Sequence, residues 1–229
     1  MKFLLFLLFS FSYLNSYSQI IHANLYGGIA NYQGDLQSKR IDLNQSRPTF
    51  GIGLSYEINS KLTVRGIASY IALAGRDDTT IAFKNGVYRN LNFKSTVWEA
   101  QLALEYNFLD IQERGFTPYV FAGIAAFHFN PYSFDSSGNK VYLRSLNTEG
   151  QGLSQYPEKT LYKNNQIALP FGAGIKLALS DKIQAGLEFG YRKRFTDYLD
   201  DVSGTYADSA LLASARSPQS AAFAYRGNE

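Results

Sequence analysis

Apolar and polar residues alternate with a period of two through seven segments of this chain, and the polar partner is crowded with glycine and with charges of both signs. Period two is the repeat of a β-strand whose two faces meet different surroundings. Thr49–Ile58 shows it most plainly: Phe50, Ile52, Leu54, Tyr56 and Ile58 share one face, while Thr49, Gly51, Gly53, Ser55 and Glu57 share the other. Leu62–Leu73, Thr96–Tyr106, Ile167–Leu179 and Ile183–Phe195 repeat the pattern, and Ile20–Tyr32 follows it more loosely. In Tyr119–Phe129 the apolar face is read as Tyr119, Phe121, Gly123, Ala125, Phe127 and Phe129. Each segment is about the 9–11 residues that a tilted strand needs to cross a bilayer.

The connections alternate too. Asn59-Ser60-Lys61 and Ser180-Asp181-Lys182 are tight turns, and 107–116 is moderately short. Between them come long polar stretches, 33–48, 74–95, 130–165 and everything after 196. Outer-membrane barrels have this asymmetry, with short periplasmic turns and long outside loops.

A soluble barrel would turn its apolar face inward, whereas a membrane barrel inverts the arrangement. The polar face decides between them. It interleaves Gly51, Gly53, Gly172, Gly174, Gly186 and Gly190 with Glu57, Arg65, Glu99, Glu105, Lys176, Glu188 and Arg192. Glycine weakens a water-facing strand, but a narrow lumen needs small residues around a few long ones. The seven charged residues are therefore expected to form a structural ion network in the lumen. Tyr56, Tyr70, Tyr106, Tyr119, Phe129 and Tyr191 fall at strand ends, where interfacial aromatic girdles belong. The expected fold is all-β: an up-and-down antiparallel transmembrane β-barrel of the eight-stranded type. Seven strands are visible, and single-chain bacterial barrels have even numbers, so a closing strand is expected beyond Glu229, the chain being truncated at its C-terminus.

Met1-Lys2 followed by the 12 apolar-rich residues Phe3–Leu14 and the small-x-small sequence Ser16-Tyr17-Ser18 has the order of a secretory signal peptide. Residues 1–18 are expected to be removed on export, and 19–229 to form an outer-membrane barrel domain.

Little in the composition offers chemistry. The chain has no cysteine and only two histidines, His22 and His128, which removes thiol chemistry and imidazole metal clusters. A formal net charge of +3 without a Lys/Arg cluster does not suit a nucleic-acid binder. His128 has Ser133 and Asp135 nearby in sequence, but a rim histidine making a hydrogen bond is the expected reading. Asp197, Asp200, Asp201 and Asp208 are expected to be solvated loop carboxylates rather than a cation site. Gly51-Ile-Gly53 lies within a strand and is not a phosphate loop. Lys193 is expected to snorkel from the apolar face. No enzyme activity, cofactor or small-molecule substrate is expected; the partner is outer-membrane lipid.

Four stretches carry a resemblance: Leu25–Leu36 (LYGGIANYQGDL), Pro118–Ile124 running on to His128-Phe-Asn-Pro131, Leu169–Lys176 (LPFGAGIK) and Leu187–Tyr206 (LEFGYRKRFTDYLDDVSGTY). Together they resemble a Bacteroidota outer-membrane β-barrel family related to the PorG component of the type IX secretion system. The resemblance implies an eight-stranded outer-membrane barrel. For PorG-like members it also implies an accessory or anchoring role beside the periplasmic PorK–PorN ring, with ring proteins or lipoproteins as partners. Two other classes remain open on the residues alone. One is a barrel-borne hydrolase of lipid A or phospholipid, which needs a serine and an acid beside His128. The other is a small-solute porin, which needs a water path past the lumen charges.

Overall fold

The computed structural model describes residues 21–34, 36, 43–77, 90–196, 198–202 and 207–226. The expected signal peptide lies outside the described residues, as does Asp197. The main strands are β1 (Ile21–Ala30), β2 (Arg47–Glu57), β3 (Leu62–Arg76), β4 (Asn92–Asn107), β5 (Phe116–Phe134), β7 (Asn165–Ala178) and β8 (Gln184–Arg194). They form one antiparallel sheet in the order β1-β2-β3-β4-β5-β7-β8, and the short β6 (Lys140–Tyr142) pairs with the far end of β5. Helices are few: α1 (Ile111–Arg114), α2 (Ser209–Ala215) and α3 (Pro218–Ala224).

The turns at one end of the sheet are built by side chains that replace missing ladder bonds. Asn59 Oδ1 accepts from the N–H groups of Lys61 and Leu62, both at 2.9 Å, closing the β2–β3 hairpin. Ser180 Oγ accepts from Ile183 N at 3.2 Å between β7 and β8. Between β4 and β5, Asp110 caps α1 through Gln112 N, and Gly115 ends it at φ 75°, a backbone that favours glycine. The opposite end carries the long connections. We call the two the turn end and the loop end.

The sheet is curled into a half-barrel, as the contacts across its concave side require. Arg65 on β3 reaches Glu188 on β8, its sequential neighbours in the sheet being β2 and β4. β1 and β8 are the two ends of the sheet, and no ladder joins them among the described residues. Both run from the turn end to the loop end, so they are parallel to each other. Arg194 at the tip of β8 donates to the Gln33 carbonyl just beyond β1 at 2.9 Å.

The convex face carries the apolar half of the alternation. Leu25 is 87% exposed, Leu187 78% and Phe189 72%, in company with Phe50, Ile52, Leu54, Trp98, Leu102, Ile167 and Phe171. Apolar area on this scale is far beyond the few hundred Å² that a water-soluble monomer ordinarily exposes.

β5 reverses the expected orientation. Tyr119, Phe121, Ala125, Phe127 and Phe129 face inward, and Val120, Ala122, Ile124 and Ala126 face out. Both faces of this strand are apolar, so hydrophobicity alone does not distinguish them. The glycines of β7 and β8 do. Phe121 pairs with Gly172 and Tyr119 with Gly174. A Cβ at Gly172 would stand 2.8 Å from Phe121 Cε1, and one at Gly174 2.6 Å from Tyr119 Oη. The missing side chains are the sockets for these rings. Tyr119 and Phe129 are thus interior residues and not interfacial aromatics, while Tyr106 and Tyr191 are exposed on the convex face.

The interior is layered. Charged and polar side chains fill the half nearer the turn end. The half nearer the loop end is an apolar plug of Tyr32, Ile71, Phe93, Val97, Phe127, Phe129, Leu143, Tyr162, Leu199 and Phe223. The long connections are correspondingly structured: β5 continues to Phe134, and the stretch after β8 folds into α2 and α3 over the plug. Asp208 caps α2 through Leu211 N at 2.8 Å, and Ser217 with Pro218 starts α3.

If Gly172 is the socket for Phe121, Gly172→Val overpacks it, against Phe189 O as well as the ring. We expect a loss of about 1–3 kcal/mol in urea unfolding followed by aromatic fluorescence. An unchanged midpoint would place the Phe121 ring elsewhere.

Candidate functional site

The feature with the most chemistry is the set of charged side chains on the concave face. Six of the seven expected from the sequence are ion-paired, and the seventh, Glu57, is hydrogen-bonded to a histidine. Arg65 Nη1 donates to Glu188 Oε2 at 2.6 Å and to Glu105 Oε2 at 3.3 Å. Lys176 Nζ holds the other oxygen of Glu105. Arg192 grips Glu99 bidentately, Nε to Oε2 at 3.0 Å and Nη2 to Oε1 at 3.0 Å. Glu57 is joined by His22, Nε2 to Oε1 at 2.9 Å. Strand positions make this possible: β8 supplies Glu188 and Arg192, β4 supplies Glu99 and Glu105, and all project from the same pleat face into the curl.

Aromatic rings complete the network. The Arg65 guanidinium lies 4.0 Å from the Phe121 ring centre, and Tyr119 Oη donates to Glu188 Oε2 at 2.8 Å. Arg65 and Glu105 expose only 2% and 1% of their side chains. Charges so buried are tolerable because each is paired. Arg65 bonds its carboxylates through Nη1, and its buried Nε and Nη2 find no hydrogen-bond partner among the described residues. A desolvated cation over a ring gains about 2 kcal/mol more. Below them, a cavity of about 160 Å³ opens among Glu57, Asn107, Asp110, Thr117, Lys176 and Gln184.

A second polar cluster lies above the plug, with a pairing that no sequence pattern announces. Asp201 accepts from Tyr162 Oη at 2.5 Å and from Thr148 Oγ1 at 2.7 Å. Asp200 accepts from Tyr32 Oη. Both aspartates are buried, correcting their reading as solvated loop carboxylates. The three bonded partners lie 39–168 residues from their aspartates, so no local spacing could reveal them. Burial pushes the Asp201 carboxyl up to about 6, helped by the nearby charge of Glu149 and opposed by the two hydroxyl bonds. The Tyr32 and Tyr162 hydroxyls are raised, first by burial and then by the adjacent carboxylates. Arg226 adds a further tie, donating to Ser133 Oγ at 3.0 Å and to the Phe134 carbonyl at 3.1 Å. A cavity of about 50 Å³, with room for a few waters, lies between Asp200, Asp201, Thr148, Phe223 and Arg226.

The remaining sequence candidates are dispersed. His128 faces out from β5 and pairs through Nδ1 with Asn165 Oδ1 at 2.7 Å, while Ser133 faces in and donates to Asn92 Oδ1 at 2.7 Å. Asp135 is engaged by its own turn, accepting from the Ser137 and Asn139 N–H groups. These three residues do not converge. Asp208 caps α2, and among the described residues no group of three or more carboxylate or imidazole side chains is arranged to hold a metal ion. Tyr70 packs edge-on to Trp98 and Tyr191 against Phe171, ring contacts at 5.1 Å and 5.4 Å, and Tyr56 is half-buried beside its turn.

Arg65→Met leaves Glu188 without its cation and Glu105 with Lys176 alone; we expect about 3–5 kcal/mol of destabilisation in chemical unfolding, partly recovered when Glu188→Gln is added. Asp201 responds to pH in the opposite sense from a salt-bridged carboxylate. Its folded pKa is raised, so its contribution is full below the ordinary aspartate value and is lost as pH rises through about 6. Amide exchange in 207–226 should therefore slow on going from neutral pH to pH about 5, by about 1 kcal/mol of protection. Asp201→Asn should flatten that dependence.

None of the curated proteins matches this chain. One family does, over residues 1–214, and it takes in every strand of the sheet together with α2 up to Ser214. By that match the chain belongs to the family described as "Domain of unknown function (DUF6089)".

Proposed function

We propose that this protein is a non-enzymatic integral outer-membrane β-barrel of the eight-stranded type, exported through a cleavable signal peptide. The observation that carries the reading is the inside-out partition. An apolar convex face lies outside buried Arg, Lys and Glu side chains that neutralise one another. In water that partition is costly, and in a bilayer it is what a barrel requires. The alternation of short turns with long connections supports the same reading, with the turn end facing the periplasm. The parallel relation of β1 and β8 supports closure by one further strand. A strand running from the loop end to the turn end would lie antiparallel to both and satisfy both open edges. The aromatic plug supports a closed scaffold over an open pore.

Within the membrane, the role we propose is accessory or anchoring, in a type IX-like secretion or gliding machine. Its support is the resemblance of the Leu25–Leu36 and Leu187–Tyr206 stretches to PorG-like barrels. Contact with periplasmic ring proteins or lipoproteins would run through the turn end, where α1 and the β2–β3 and β7–β8 turns lie.

The test is expression of the full chain in a Bacteroidota host. The protein should resist alkaline extraction from outer membranes, migrate faster in gels before boiling than after, and co-purify with periplasmic ring components after mild solubilisation. Recovery as a soluble periplasmic protein would overturn the membrane assignment. Membrane insertion without ring partners would overturn the secretion role alone.

A further inference from the structure

The convex face changes character toward the loop end. On β4 the outward column runs Tyr106, Leu104, Leu102, Ala100 and Trp98, then turns polar at Thr96 and cationic at Lys94. On β5 it passes from Ile124 and Ala126 through His128 and Asn130 to Tyr132 and Phe134. Cross-strand register brings these ends together: Lys94 pairs with Tyr132, Tyr132 with Tyr142, and Phe134 with Lys140. The short β6 strand turns Val141 toward the plug and leaves Lys140 and Tyr142 exposed on this patch.

The ammonium groups are placed by rings. Lys140 Nζ lies 3.9 Å from the Tyr132 ring centre and 4.7 Å from that of Tyr142. Lys94 Nζ lies 5.2 Å from the Phe134 ring centre. A ring face takes one side of an ammonium and leaves its remaining donors free. Among the described residues neither lysine is paired with a carboxylate. The nearest acid in sequence, Asp135, is held by Asn139 and Ser137 within its own turn, and Asn139 first among these bonds keeps its pKa low.

The geometry points to a binding site for the phosphorylated head group of an outer-leaflet glycolipid of the lipid A type. The inference rests on the membrane reading and deepens it. Trp98 to Lys94 is four residues along a strand, roughly 13 Å, or about 10 Å along the membrane normal at the usual tilt. That height is the level of head-group phosphates above an apolar belt that ends at Trp98. Two ammonium groups meet the phosphates, and the exposed ring of Tyr142 offers an apolar face to the sugar.

The full chain, folded in detergent micelles and checked by heat-modifiable mobility, would be titrated with diphosphoryl lipid A, dephosphorylated lipid A and phosphatidylglycerol. Native mass spectrometry reads the adducts. We expect a one-to-one diphosphoryl lipid A adduct, weakened roughly thirtyfold in Lys94→Gln/Lys140→Gln. Lys94→Arg/Lys140→Arg should retain it, and dephosphorylated lipid A should bind wild type as weakly as the diphosphoryl lipid binds the glutamine variant. Equal adducts in wild type and glutamine variant overturn the site, and equal binding of phosphatidylglycerol overturns the glycolipid assignment. Both results leave the barrel standing. Absence of any heat-modifiable folded form overturns the inference together with the membrane reading.

Discussion

Arg65 is the cation on which the curl depends. It stands on the third strand and is shared by carboxylates on the fourth and eighth, so the sheet cannot flatten without separating it from Glu188. The pair is buried, and the low dielectric around it makes separation far more costly than it would be at a surface. Lys176–Glu105 and Arg192–Glu99 repeat the device between β4 and the two strands of the last hairpin. The curvature is thus specified by side chains spanning the concave space as well as by strand twist. The glycines opposite β5 allow it by letting backbone and rings approach where any side chain would intervene.

The layering of the interior follows from what each end must do. Near the turn end, polar side chains can be reached by water through the mouth between Glu57 and Gln184. Near the loop end, the aromatic plug excludes water. The aspartate–tyrosine bonds above it fasten the chain after β8 to segments that follow β1 and precede β7.

Much of the fold was legible because most strands carry contrasting faces. In β2, β4, β7 and β8 the alternation names both the strand and its orientation, and the interior charges follow from it. β5 was legible as a strand but not in orientation. Its faces differ in ring size and not in polarity, and the information that orients it lies in Gly172 and Gly174, about fifty residues away. The loop-end structure was hidden for a related reason. Asp200, Asp201, Ser220 and Arg226 look like surface polar residues until their partners arrive from other loops and from the end of β5. β6 has only three residues, too few for a period to register.

The Arg65–Glu188 contact joins residues 123 positions apart, a separation that orders events during assembly. The β2–β3, β4–β5 and β7–β8 pairings close over short connections or one modest excursion, and local contacts of that kind form early. The braces can form only when the last hairpin comes round. Until then Glu99 and Glu105 lack their β7 and β8 counterions and must stay hydrated. An unfinished sheet consequently keeps its concave side wet, and a finished one can bury it. Charge neutralisation then acts as a checkpoint, letting the concave side dry only after the two halves of the sheet have met.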